Sequence, residues 1–186
     1  EALASIAKEW GVPLVVDNTL ATPYLCRPFD WGADIVVHSA TKFIGGHGNT
    51  MGGLVAESGL FDWYQNDKFP SMTQPDPAYH GLTFAETFGD FGFSMKMRAV
   101  ALRDYGPTLS AQSAWNLLQG VETLPLRMER HCVNTHVIKT GIFHIFQISS
   151  CYIDSRRWIY TMNPAYLLCN QLSPSAGSTS GIKPNG

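Results

Sequence analysis

The sequence predicts an α/β fold in which helices cover a buried sheet. Two short β-branched runs, VPLVVD at 12–17 and ADIVVHSA at 33–40, are typical of strands that are apolar on both faces, as in parallel sheets. An amphipathic segment, residues 1–11, precedes the first run and ends at Gly11, which predicts a helix. Because helix, strand, loop and strand follow one another, the order is that of a layered α/β domain.

Further elements are predicted downstream of these two strands. Residues 51–58, MGGLVAES, are consistent with a third strand. The apolar spacing of residues 93–105 predicts a helix that stops at Gly106. Residues 110–120 predict another helix, with the hydroxyl of Ser110 as its N-cap.

A basic patch marks the helix that is predicted to begin within residues 123–132. Arg127, Arg130 and His131 fall on one side of that helix. Charged side chains grouped in this way are typical of a solvated helix face, so we do not expect a site there.

Composition and charge exclude several classes of protein. Apolar residues make up 45% of the chain and charged residues 15%, which is enough to build a core. The net charge of −2 gives no reason to expect nucleic acid or a membrane surface as partner. The four cysteines form no C-x-x-C pair, which argues against a zinc site or a disulfide framework. We therefore expect free thiols, as in a protein of the reducing cytoplasm.

The character of the chain changes near residue 134. Residues 1–133 carry nine basic and fourteen acidic side chains, whereas residues 134–186 carry four basic and one acidic. The second part includes HVIKTGIFHIFQISSCYI, which is strand-like or merely apolar, and it ends in LSPSAGSTSGIKPNG, a composition typical of disorder. We therefore expect a domain over 1–133 and an atypical, poorly ordered tail over 134–186.

The stretch HSATKFIGGHG, residues 38–48, combines a cation, hydroxyls and glycines at the end of a predicted strand. Most lysines are solvated surface charges, but ligands of open α/β sheets bind where strands end, and a desolvated lysine is a nucleophile that forms imines. Ser39 and Thr41 lie two apart, so in extended backbone their hydroxyls point to one side, where they can bind a phosphate. The glycines let the backbone approach a ligand: Gly45, Gly46 and Gly48.

Asp17 ends the first strand, at the same edge as Lys42 if the two strands are parallel. An Asx turn is the ordinary interpretation of an aspartate at this place. A buried carboxylate also needs a cationic partner, and a protonated pyridine nitrogen is one. A strand-end aspartate and a strand-end lysine are what pyridoxal phosphate (PLP) requires. No metal is predicted, because His38 and His47 have no third ligand in reach.

The segment DNTLATPYLCRPFDWGADIVVHSATKFIGGHGNTMGGLV closely resembles the PLP-dependent enzymes of cysteine and methionine metabolism, the trans-sulfuration group. Two more stretches, DPAYHGLTFAETFG and LQGVETLPLRMERHCVN, are similar to the O-acetylhomoserine sulfhydrylase branch. The resemblance covers residues 1 to about 134. It implies an aspartate-aminotransferase-like fold, here a truncated part of the three-layer α/β/α large domain.

The resemblance also implies roles for individual residues. Lys42 would hold PLP as a Schiff base and move protons on the substrate, and Asp17 would pair with the pyridinium nitrogen. Ser39 and Thr41 would hold the cofactor phosphate. Thr19, two residues past Asp17 and on the same side of an extended segment, would lie near the cofactor ring.

The implied reaction replaces the acetate of O-acetyl-L-homoserine with sulfide or a thiol, giving homocysteine or methionine. The alternatives are a cystathionine γ-synthase or a methionine γ-lyase, or a non-catalytic fragment of the family. Family members are homotetramers that act on small amino acids, with no nucleic acid or membrane partner. Because the chain begins at Glu1 and its last third departs from the family, we expect a fragment with a foreign tail.

Overall fold

The computed structural model describes the backbone of residues 1–146 and the side chains of residues 1–138. The chain divides into two units, residues 1–129 and residues 130–186. The first contains the whole sheet, and in the second residues 130–146 are helical. The strand-like interpretation of the apolar stretch after residue 135 is therefore wrong up to residue 146. The rest of the predicted tail lies outside the described residues.

Three strands form one mixed sheet in the order β1-β2-β3: β1 is Val15–Asp17, β2 is Ile35–Ser39 and β3 is Gly53–Glu57. β1 runs parallel to β2, with Asp17 beside Val37, so both strands end at the same edge of the sheet. β3 is antiparallel to β2 and begins at that edge, with Gly53 beside Ser39. All three predicted strands are present.

Helices and short helical turns make up most of the remainder. The α-helices are α1 (Ala2–Glu9), α2 (Thr22–Leu25), α3 (Pro70–Thr73), α4 (Phe84–Phe88), α5 (Gly92–Lys96), α6 (Arg103–Tyr105), α7 (Ala111–Glu122) and α8 (Leu124–Phe146). Single 3₁₀ turns occur at Pro28–Trp31, Pro77–Tyr79 and Gly89–Phe91. Within the described part of the chain, every helix is too short or too polar to cross a bilayer.

The helix predicted over residues 93–105 is present but contains an irregular segment that its apolar spacing does not predict. Between α5 and α6 the backbone widens into a π-helical segment, Met97–Leu102. The hydroxyl of Tyr79 donates to the carbonyl of Ala99 within this segment. Gly106, with φ of +68°, ends α6 as predicted, because glycine adopts the left-handed conformation without strain.

The start of α7 follows from its cap. The backbone of Ser110 is extended, and its hydroxyl accepts a hydrogen bond from the amide of Ser113 at 3.1 Å. That amide belongs to the first turn and has no partner within the helix, so the cap satisfies it. The predicted N-cap is confirmed.

Two groups of buried apolar side chains stabilise the first unit. The larger one surrounds Met72, Phe84 and Ala85 with aromatic rings that meet edge to face or stack, as Trp63 and Phe93 do. The smaller group consists of Ala40, Ile44 and Leu117. It joins the segment after β2 to α7, and it therefore lies directly beneath the residues around Lys42.

Candidate active site

Asp17 is the last residue of β1, and its exposed carboxylate is held by the chain that follows it. Oδ1 accepts a hydrogen bond from the amide of Thr19 at 3.0 Å, which is the Asx turn that the sequence permits. The side chain and the backbone amide of Thr19 both bond this carboxylate, and they lower the pKa of Asp17 against the weaker opposing effect of its desolvation. Asp17 therefore carries a negative charge near neutral pH.

Thr19 connects the ends of the two parallel strands. Its hydroxyl oxygen accepts a hydrogen bond from the amide of Ser39 at 2.7 Å, while the same hydroxyl bonds the Asp17 carboxylate. The premise of an extended segment past Asp17 is wrong, since β1 ends there and an Asx turn follows. Thr19 fixes the position of Asp17 relative to the end of β2, and its place near the cofactor ring stays a prediction.

Lys42 lies in a turn that begins as β2 ends. The amide of Lys42 donates to the Ser39 carbonyl at 3.2 Å, and the amides of Gly45 and Gly46 donate to the carbonyls of Ala40 and Lys42, both at 2.8 Å. We call residues 40–46 the lysine turn. The side chain of Lys42 is exposed, and the structure gives its amine no hydrogen bond or ion pair within the described residues.

Thr41 differs from Ser39 in its surroundings. Its hydroxyl donates to the Gly52 carbonyl at 3.3 Å and accepts from the Gly52 amide at 3.0 Å, which closes the loop between β2 and β3. The Ser39 hydroxyl has no such bond within the described residues. The spacing of Ser39 and Thr41 predicts two hydroxyls on one side of an extended backbone. That premise is wrong, because β2 ends at Ser39 and Thr41 lies in the turn that follows.

His38, the residue before Ser39, has a buried Nδ1 without a hydrogen-bond partner among the described residues. Burial lowers the pKa of His38, against opposing effects of the Asp17 charge and the Asn18 backbone. His38 is therefore neutral at pH 7. The nearby His47 contacts its own loop, with Nδ1 at 2.6 Å from the carbonyl oxygen of Gly45.

Arg127 is a residue of this region whose interactions sequence reasoning missed. It is half-buried rather than solvated, and its guanidinium reaches the lysine turn from α8. Nη1 donates to the carbonyl of Phe43 at 2.7 Å, and Nη2 to that of Ile44 at 3.2 Å. The predicted solvated face is thus wrong for Arg127, while Arg130 is exposed as expected. The one sequence feature that could have indicated these contacts is that Arg127 lies in LPLRMERH, which is part of the stretch that resembles the family.

A surface cavity lies at the opposite edge of the sheet. It is lined by Asp34, which precedes β2, and by Ser58, which follows β3, together with Lys8 on α1. The carboxylate of Asp34 is already engaged there, since it accepts the amide of Leu14 at 2.8 Å. None of the predicted site residues lines this cavity.

The residues at the carboxyl edge fit the chemical needs of PLP. Asp17 is an ionised carboxylate, which favours a protonated pyridine nitrogen beside it. Ser39 supplies a hydroxyl that makes no other bond within the described residues, and Lys42 an accessible amine on the next turn. In contrast, no group of three His, Cys, Asp or Glu side chains within the described residues is placed to hold a metal ion.

Comparison with known proteins agrees with this chemistry. The family model described as "Cys/Met metabolism PLP-dependent enzyme" matches residues 1–140. The chain belongs to this family. Its cofactor is accordingly pyridoxal 5'-phosphate, and its fold is that of part of the family's α/β large domain.

Individual relatives point to one branch of the family. The chain is 55% identical over 141 residues to an O-acetyl-L-homoserine sulfhydrylase of Leptospira meyeri, covering 72% of this chain and 32% of that protein. It is 51% identical over 140 residues to a homocysteine synthase of Schizosaccharomyces pombe, covering 74% and 33%. The chain therefore spans about a third of the length of the curated relatives it matches.

A solved structure extends the comparison to three dimensions. The chain matches a Campylobacter jejuni structure described as an O-acetylhomoserine (thiol)-lyase with a TM-score of 0.70 and 38% identity, covering 74% of this chain and 34% of that one. That protein contains an N'-pyridoxyl-lysine-5'-monophosphate, a lysine joined to the cofactor.

Proposed function

We propose that this chain supplies the cofactor-binding edge of a PLP-dependent enzyme that replaces the acetate of O-acetyl-L-homoserine with sulfide or a thiol. The observation that carries the proposal is the juxtaposition of two strand ends, which brings Asp17 to the same edge of the sheet as the turn bearing Lys42. The similarity to O-acetylhomoserine sulfhydrylases selects the substrate.

We assign each residue a role from the family resemblance and from its surroundings. Asp17, kept ionised by Thr19, pairs with the pyridine nitrogen, and Thr19 positions that carboxylate. Ser39 donates its hydroxyl to the cofactor phosphate. Thr41 joins it by exchanging its long 3.3 Å bond to the Gly52 carbonyl for a phosphate oxygen.

Lys42 binds PLP covalently and afterwards acts on the substrate as a base and an acid. When bound, the cofactor withdraws electrons from the substrate carbons that lose protons. Once the amine of the substrate has displaced it from the cofactor, the freed amine of Lys42 would take a proton from the α carbon and then one from the β carbon, and would return both later. This requires an accessible amine, and Lys42 is exposed and has no hydrogen bond or ion pair within the described residues. Acetate leaves from the γ carbon and the sulfur of sulfide takes its place, so the products are homocysteine and acetate.

The setting of the enzyme belongs to the same proposal. We place it in the cytoplasm, in keeping with Cys26, which is a free, buried thiol and forms no disulfide within the described part of the chain. The substrates are small molecules, and the assembly is the tetramer that the family resemblance implies.

The test is to trap the cofactor on its lysine. The purified chain is incubated with PLP, reduced with borohydride to fix any lysine link as a secondary amine, and mapped by mass spectrometry. We expect one pyridoxyl group on Lys42 and none after Lys42→Arg, while Lys8→Arg, a change at an exposed lysine of α1, leaves the label on Lys42. Label scattered over the other lysines would contradict the proposed site.

A turnover assay then tests the reaction. Chain that has been loaded with PLP but not reduced is supplied with O-acetyl-L-homoserine and sulfide, or with O-acetyl-L-homoserine and cysteine. The products are then identified. Homocysteine from sulfide supports the proposal, whereas cystathionine from cysteine would assign the chain to the cystathionine γ-synthase type. A chain that is labelled on Lys42 but gives neither product would be a non-catalytic member.

A further inference from the structure

Arg127 makes an unusually complete set of bonds to the backbone around Lys42. Nη1 donates to the carbonyl of Phe43 at 2.7 Å, and Nη2 to the carbonyls of Ile44 at 3.2 Å and Gly120 at 2.6 Å. Nε donates to the hydroxyl of Thr123 at 3.0 Å. One guanidinium thus joins two consecutive residues of the lysine turn to the end of α7 and the start of α8.

Two of the three carbonyls that Arg127 binds belong to the residues directly after Lys42. A turn of this length leaves its last carbonyls without partners in the turn itself, and a planar fork of donors is suited to collect several of them. Hydrogen bonds from a charged donor are stronger than those between neutral groups. The bonds of Arg127 therefore restrain the backbone from which the Lys42 side chain projects.

Three glycines let the lysine turn approach these helices. A side chain on Gly120 would collide with the carbonyl of Gly45, and one on Gly46 would collide with the Arg127 guanidinium. A Cβ at Gly45 would lie 2.9 Å from the Leu117 Cδ2 atom. Below them, Leu117 is buried with Ala40 and Ile44, so polar and apolar contacts hold the same turn.

We propose that Arg127 is a positioning residue that fixes the lysine turn and thereby aims the amine of Lys42 at the cofactor. The inference deepens the proposed function and rests on it for the identity of the group that Lys42 meets. Its physical content is narrower, since the contacts of Arg127 hold the turn whether or not PLP is bound. Arg127 does not touch the reacting atoms in this scheme.

The experiment uses the full chain and measures the turn in two ways. Without cofactor, hydrogen exchange reports on the amides of Gly45 and Gly46, which close the turn. With PLP and borohydride, mass spectrometry gives the share of label on Lys42. The variant is Arg127→Lys, which keeps the charge but loses the fork, and the control is Arg130→Lys at an exposed arginine of the same helix.

We expect Arg127→Lys to speed exchange at the two glycine amides by about tenfold or more, the equivalent of losing one hydrogen bond to a charged group. The share of label on Lys42 falls in parallel, because a turn that opens presents its amine in many directions. Arg130→Lys changes neither quantity. If Arg127→Lys leaves both exchange and labelling as in the unchanged chain, the inference is refuted.

Two further results are informative. If Arg127→Lys does not fold, Thr123→Val removes the hydroxyl that accepts the hydrogen bond of Arg127 Nε and leaves the guanidinium in place. Faster exchange at Gly45 and Gly46 in a folded chain then supports the inference, while unchanged exchange, or global unfolding here too, overturns it. If the unchanged chain takes no label on Lys42, the proposed function fails, and exchange alone decides whether Arg127 holds the turn.

Discussion

Replacing Thr19 with valine removes the hydroxyl that joins the ends of β1 and β2 while keeping the shape of the side chain. The amide of Ser39, half-buried and bonded to this hydroxyl at 2.7 Å, would lose its partner. Leaving such a donor unsatisfied costs about 1–3 kcal/mol. For a chain of this size, each kcal/mol lowers the melting temperature by about 2–4 °C. We expect Thr19→Val to melt several degrees below the unchanged chain at pH 7.

The pH dependence of this loss carries the sharper test. The Thr19 side chain is the largest cause of the lowered pKa of Asp17, so Thr19→Val raises that pKa toward its ordinary value. A carboxyl with a lowered pKa stabilises the fold above its unfolded value, about 3.9, and this stability is lost as pH falls through the folded pKa. The difference between the two chains should therefore shrink in acid.

Thermal unfolding followed by circular dichroism between pH 7 and pH 3 measures both effects. Thr87→Val is the matched control, because Thr87 is exposed on α4 and the structure gives its hydroxyl no bond within the described residues. If Thr19→Val has the same melting temperature as Thr87→Val at pH 7, then Thr19 does not join the strand ends as described. The same conclusion follows if the melting temperature of Thr19→Val lies as far below that of the unchanged chain at pH 3 as at pH 7.

Three further predictions test separate parts of the structure. Ser110→Ala should cost about 1 kcal/mol, seen as a melting temperature lower by a few degrees, because α7 loses its cap; an unchanged value would refute the cap. The pKa of His38 is lowered by burial, so the unfolded chain takes the proton first, and stability should fall as pH drops below about 6.5. His38→Gln should reduce this loss of stability in denaturant unfolding measured at several pH values. An equally steep loss in the variant would mean that another group, and not His38, causes it. Asp17→Asn should weaken PLP binding by about tenfold or more in absorbance titrations, since the pyridine nitrogen loses its anionic partner; equal affinity would exclude Asp17 from that role.

Much of the sheet and its edge was predictable, because the signals are local. The β-branched run ending at Asp17 and the one ending at Ser39 each indicate a strand, and parallel pairing then brings their ends together. The prediction that both strands are buried is wrong for β1, where Val15 and Asp17 are exposed because no helix among the described residues covers them. The cap at Ser110 and the stop at Gly106 likewise depend on the residue itself and its immediate neighbours. The sequence did not predict that β3 runs antiparallel, since a strand of apolar residues looks the same in either direction.

The form of the lysine turn could not be predicted, because it depends on contacts between distant parts of the chain. Arg127 lies 84 residues from Phe43 in sequence, and no periodicity or spacing connects the two. A basic residue on a helix has the same pattern whether its face meets water or another segment. Only packing distinguishes the two situations, and here packing buries part of the guanidinium under the turn.

The glycines in and after the lysine turn are needed for a different physical reason from the one that the sequence suggests. In the sequence they indicate a backbone that approaches a ligand closely. In the structure, Gly45 and Gly46 allow the approach of α7 and α8, because a Cβ at either would meet Leu117 or Arg127. Gly48 has no atom within 4 Å of such a Cβ, and its φ of +67° accounts for it instead. The form of the lysine turn thus depends on the protein's own packing beneath Lys42. Gly45→Ala should disturb that packing and speed hydrogen exchange at the amide of Gly46, as Arg127→Lys does, whereas Gly48→Ala should leave that exchange unchanged.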